Sequence, residues 1–166
     1  MIRYLWSKRN IGHNCVGFEF FNSPLLSAGD ILKGFEAYNE GDYSRAYSEW
    51  ESLANEGDVI AQSSLGIMYH LGQGVDKNDK TAFELFSLSA RQGFAPAQMS
   101  LGNMYENGFG TTTDMGRAFM WYYISASADD SGTTMLKLIK EKMNDTEIKK
   151  STNLAMDCIE SHLSKC

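Results

Sequence analysis

Apolar and small residues recur along the chain at helical spacing, in short blocks punctuated by glycine. In residues 61–69, Ala61, Leu65, Met68 and Tyr69 fall on one face of a helix, and Gly66 beside them leaves room for a neighbouring backbone. Gly72 suits the left-handed conformation that ends a helix, Gly74 lets the chain turn, and Asn78 and Asp79 suit the cap of a second helix. In that helix Ala82, Phe86, Ser89 and Ala90 repeat the amphipathic spacing, with alanines where two helices approach most closely. Gly93 stops it, and Pro96 fits the first turn of the next helix. Displacing the chain by 36 residues lays this block on its successor with 13 identities over positions 58–93, where chance gives about two. A repeated pair of helices therefore organises the chain.

The same displacement reaches backwards, because Ala46, Trp50, Ala54 and Gly57 precede Ala82, Phe86, Ala90 and Gly93 by 36 residues. The first helix of that earlier unit, residues 31–39, does not align at this spacing, since only Glu40, Gly41 and Asp42 join Tyr38 to the next helix. Past the third unit, residues 133–143 and 146–163 carry helical apolar spacing, with Ile148, Leu154 and Ile159 as examples, broken at Asn144 and Asp145. These segments are predicted to cap the open end of the stack, as repeat arrays require. The predicted boundaries are 28–57 for a first unit, 58–93 and 94–130 for two full repeats, and 131–166 for the cap, with residues 1–27 unassigned.

The string Ala-Gln-x-x-Leu-Gly-x-Met-Tyr-x-x-Gly-x-Gly, followed by Ala-x-x-x-aromatic-x-x-x-Ala, resembles the Sel-one-like repeat, a relative of the tetratricopeptide repeat. Residues 34–57, with Tyr38, Gly41, Asp42, Tyr43, Ala46 and Trp50, resemble the shorter tetratricopeptide-like unit. The resemblance implies an all-α fold: a right-handed α-solenoid of helix-turn-helix repeats with C-terminal capping helices, acting as an adaptor or scaffold. It implies no catalytic residues. The third unit departs from the pattern at Thr111, Thr112 and Thr113 and at Asp129, which replaces the closing glycine, so it is read as terminal.

Composition narrows the functional classes. With 43% hydrophobic and 22% charged residues the chain has the apolar material for a core. Residues 30–130 hold 15 acidic and six basic side chains, a surface that repels phosphate and argues against a nucleic-acid partner. No stretch approaches the ~20 apolar residues of a membrane span. Residues 1–10 carry three basic side chains, as a secretory leader does, yet His13, Asn14 and Glu19 break the apolar run that should follow. Cytoplasmic and exported locations both stay open.

Chemistry is sparse. Asp130-Ser131-Gly132-Thr133 has the letters of an aspartic-protease motif but lies between helices without a second copy, so it reads as a turn in which Asp130 or Ser131 caps the next helix. Gly72-x-Gly74 and Gly108-x-Gly110 follow helices and lack a Walker lysine, so they are terminators and not phosphate loops. His13, His70 and His162 are isolated, no His/Cys spacing suggests zinc, and nothing near Cys15 suggests an activated thiol. No cofactor and no metal are expected.

The leading reading is a non-enzymatic binding module, with a peptide or partner helix held by the first helices of successive units. The candidate contacts are positions where the frame is constant and the side chain changes: Ile67, His70, Asn103 and Glu106, against the alternative that each is merely solvent-exposed. The second reading, carried by cysteine-rich relatives, is a hydrolase using the solenoid cleft, although the regular cysteine pairs are missing. Cys158 and Cys166 are too distant to bridge on a continuous helix, about 12 Å apart. A helix stopping near Leu163 would let the tail fold back. Both outcomes stay open: a bridge in an oxidising compartment, or free thiols in a reducing one.

Overall fold

The computed structural model describes residues 24–164 and 166; His13 and Cys15 lie outside them. Within the described residues the fold is all-helical, with α1 (Pro24–Glu40), α2 (Tyr43–Asn55), α3 (Val59–Leu71), α4 (Asp79–Arg91), α5 (Ala95–Asn107), α6 (Met115–Asp129), α7 (Thr133–Lys140) and α8 (Asp145–Glu160). The first six helices pack as successive antiparallel pairs, each second helix also resting on the first helix of the next pair, and α7 and α8 both close over α6. This is a short solenoid. No helix among the described residues is long and apolar enough to cross a membrane.

Polar residues repeat with the frame and hold it. Asp42, Asn78 and Asp114, spaced by 36, cap α2, α4 and α6 by accepting from the backbone N–H of Arg45, Thr81 and Arg117 at 3.1, 3.1 and 2.9 Å. Each such cap stabilises its helix by about 1 kcal/mol, because one orphan N–H gains a partner. The Ser89 hydroxyl donates to the Val59 carbonyl at 2.7 Å, and Ser125 repeats the bond to Ala95 at 3.0 Å. Each buried serine thereby ties a second helix to the start of the first helix in its own unit.

Packing inside each pair rests on a glycine set against an aromatic ring. A Cβ on Gly66 would stand 2.9 Å from the Phe86 ring, one on Gly102 would stand 2.6 Å from the Tyr122 ring, and one on Gly34 would collide with the Trp50 indole. Trp50, Phe86 and Tyr122 are all buried. The space at Gly66, expected to admit a backbone, is filled by a side chain: the opposing helix presents a flat ring there, and only a bare Cα lets that ring lie against the helix. Burying such a ring contributes ~1.5–3 kcal/mol, and the contact recurs in all three pairs.

The end of the array departs from the repeat for local reasons. Without a glycine at position 129, α6 runs for 15 residues against 13 in α2 and α4. Its left-handed terminus falls on Asp130, at φ 65°. Asp130 and Ser131 were expected to cap the next helix, and neither does: α7 follows Gly132 with no side-chain cap. Asp130 is spent terminating α6, and the Asp129 carboxylate instead accepts from the Ser131 N–H at 3.0 Å. After α8, His162 and Leu163 adopt positive φ and turn the chain back, so that Cys166 is disulfide-bonded to Cys158 with their Cα atoms 5.3 Å apart.

Candidate functional site

The first helices of the two full repeats, α3 and α5, lie beside α7 of the cap and enclose an open groove of about 260 Å³. Its floor is the same packing that joins the pairs, Phe86, Met104 and Tyr122. Its walls are apolar side chains left partly in solvent: Ile67 is 40% exposed, Leu71 55% and Met135 37%. An apolar surface of this kind, held open by rigid helices, gains free energy when it is covered. A larger cavity of about 490 Å³ lies between the start of α6 and α8, but charged and polar side chains line much of it and no repeat unit other than the last contributes.

Three of the four residues singled out from the sequence line this groove: Ile67, His70 and Asn103. His70 Nδ1 lies 2.6 Å from Asp79 Oδ1 at the start of α4, with Lys77 Nζ 3.5 Å from the other carboxylate oxygen. The imidazole also packs on Phe109, the ring centres 5.2 Å apart. These contacts hold the ring at the groove edge. Asn103 is exposed, and its side chain is hydrogen-bonded to the Tyr122 hydroxyl on α6.

Glu106 does different work. Its carboxylate accepts from the Tyr122 hydroxyl at 2.9 Å and from Lys142 Nζ at 2.6 Å, and it is only 16% exposed. Burial works against the charged carboxylate, but the Lys142 ammonium and the Tyr122 hydroxyl outweigh it and hold the pKa below the ordinary glutamate value. Burial and the neighbouring carboxylate push the Tyr122 phenol upward. Glu106 thus buttresses the floor ring and binds α5 and α6 to the turn before α8.

Sequence reasoning did not reach Met135, because it belongs to the cap and has no counterpart in the repeat. The available signal was the pattern in α7, where Ile139 is fully buried while Met135 and Leu138 stay exposed. Leu71 and Met99 satisfy the rule that selects Ile67, since both change between the copies within a constant frame, but they are not among the four candidates.

His70 and Asp79 are spaced like the base and orienting acid of a hydrolase, and Ser100 lines the same groove. The Ser100 hydroxyl, however, donates to the Pro96 carbonyl at 3.0 Å, and no described nucleophile bonds to His70. Among the described residues no group of three or more His, Cys, Asp or Glu side chains is arranged to hold a metal ion.

The family model described as the Sel1 repeat matches residues 59–94 and 95–130. Among solved structures, the chain is similar to a protective antigen present in uropathogenic Escherichia coli strains displaying an SLR fold, at 24% identity and a TM-score of 0.78, over 82% of this chain and 30% of that one. It is also similar to a Sel1 repeat protein from Oxalobacter formigenes, at 35% identity and a TM-score of 0.56, over 59% of this chain and 39% of that one. The chain therefore spans well under half the length of either protein. No curated protein matches it.

Proposed function

We propose that this chain, whose residues 59–94 and 95–130 are two Sel1 repeats, is a non-catalytic interaction module that holds a peptide or a partner's helix along its inner face. Sel1 repeats are generally protein-interaction modules, which supports the class. The observation that carries the specific reading is the open groove, where Ile67, Leu71 and Met135 stand partly in solvent over a buried aromatic floor. Those side chains are apolar anchors in a shape that fits an amphipathic helix or an extended apolar segment. Ile67, His70 and Asn103 are assigned to contact the partner. Glu106 is assigned to support the floor through Tyr122 and to contact the partner only at its margin.

The Cys158–Cys166 bridge supports a working place in an oxidising compartment, where such a bond persists.

A displayed library of random peptides tests the binding reading. Selected peptides should carry two or more apolar residues at helical or alternate spacing. They should lose binding at least tenfold on Ile67→Asp and keep it on Leu88→Asp, a change on an exposed α4 position away from the groove. Peptides that bind both variants equally would refute the assignment.

A further inference from the structure

The outer helix of the cap carries a stripe that is complementary to itself. On α8, Lys150, Leu154 and Asp157 fall at i, i+4 and i+7, so they share one exposed face, with Asn153 beside Leu154. The two charged residues lie about 10 Å apart along the helix axis, and Leu154 stands between them, 41% exposed. Neither charge is ion-paired among the described residues. The closing element of a repeat array is expected to turn a polar face outward, and this one leaves a leucine there.

The stripe is one wall of the cleft of about 490 Å³ between α8 and the start of α6, where the half-buried Met115 and Met143 add apolar surface. The other charged side chains of the cleft are engaged within the chain. Asp114 caps α6 and pairs with Arg117 at 3.6 Å, and Glu147 closes the capping box of α8 with Asn144. Lys150 and Asp157 are the charges left to meet something else.

A second α8 laid antiparallel on this stripe sets Lys150 against the partner's Asp157 and Asp157 against the partner's Lys150. The midpoint between positions 150 and 157 falls between Asn153 and Leu154, so each of these two meets its own counterpart across the axis. A parallel mate would oppose lysine to lysine and aspartate to aspartate, so charge selects the antiparallel arrangement. Glu147 and Glu160 lie on opposite flanks of the stripe and do not face each other in that arrangement. A surface that matches itself after a half-turn is what a two-fold interface requires.

We propose that α8 is a dimer interface, through which the chain pairs with a second copy of itself. The two Leu154 side chains cover the apolar part of both clefts. Burial of Leu154, Met115 and Met143 supplies the attraction, because exposed ion pairs contribute little by themselves. The charges fix orientation and register. No residue of the inner groove lines this cleft, so either assignment can fail without the other.

Sedimentation of the oxidised full-length chain over a range of concentrations tests the proposal. The chain should pass from monomer to dimer as concentration rises. Lys150→Glu and Asp157→Lys should each weaken dimerisation at least tenfold, with helical circular dichroism unchanged. An equimolar mixture of these two variants should dimerise again, because each then meets opposite charges. Lys149→Glu, the same charge change on the far side of α8, should dimerise as the parent does. A monomer at every concentration up to the solubility limit would leave the cleft to another occupant and overturn the proposal. Equal weakening by Lys149→Glu and Lys150→Glu, or no dimer in the mixture, would overturn it as well.

Discussion

At matching positions of the two full repeats, His70 and Glu106 are bound into the molecule in different ways. His70 bonds within its own unit, to Asp79 at the start of α4, and leaves its ring on the groove edge. Glu106 bonds within its unit to Tyr122 beneath it and, across the unit boundary, to Lys142 of the cap. The frame around them is the same in both copies: capped second helices, a buried serine tie, and a glycine under an aromatic ring. An interior unit is covered by its neighbour and can spend its variable positions on a partner, whereas the terminal unit spends one of them on fastening its own cover.

The largest effect should come from the shared frame. Gly102→Leu drives a side chain into the Tyr122 ring and should cost about 3 kcal/mol or more. Asn103→Leu on the adjacent exposed position should shift stability by about 0.5 kcal/mol or less. Chemical denaturation of both variants checks this, and equal midpoints would break the claim that Gly102 sits in a packed joint and Asn103 on an exposed face.

Next comes the cap. Reducing the Cys158–Cys166 bridge, or replacing Cys166 by Ser, should cost about 2 kcal/mol through the short loop it closes. Hydrogen exchange should show the loss in α8, with α3 and α4 protected as before. Faster exchange spread evenly through both repeats would contradict the distinction between interior and end.

Glu106→Gln should cost about 1 kcal/mol at neutral pH, a charged hydrogen bond discounted for the exposure of Lys142. Because the folded pKa of Glu106 is depressed, its contribution is fully present above the ordinary glutamate value. It fades as pH falls through the lower folded value. The stability gap between the protein and this variant should therefore be constant from pH 5 to 7 and close on further acidification. A gap that does not change with pH would mean that the Lys142 contact contributes nothing. The smallest expected difference is between the caps: Asn78→Ala and Asp114→Ala should each cost about 1 kcal/mol and agree within ~0.5 kcal/mol, as melting curves can show.

The period, the Asn78 cap of α4 and the terminating glycines were legible in the chain because each depends on local backbone geometry; the matching caps at Asp42 and Asp114 were not read from it. Three further things were not. Gly66 was read as space for a backbone, since periodicity marks a close contact without saying what fills it. Asp130 was read as a cap for α7, since the missing glycine at 129 shifts the end of α6 by a distance that only the packed chain fixes. Glu106 was grouped with His70, since nothing in a repeat alignment shows that an unrepeated cap will bring Lys142 against one copy alone. The groove was legible only in part for the same reason: Ile67 and Asn103 lie in the repeat and Met135 does not.

Site-specific photo-crosslinking in the organism that makes the protein tests the inner-face assignment most directly. A benzophenone side chain would be placed singly at Ile67, at Asn103 and, as the outside control, at Leu88, with adducts identified by mass spectrometry. The expected result is one shared polypeptide captured from positions 67 and 103 and absent from 88. Capture of that polypeptide from 88 as efficiently as from the groove, or no adduct at either groove position, would contradict the account.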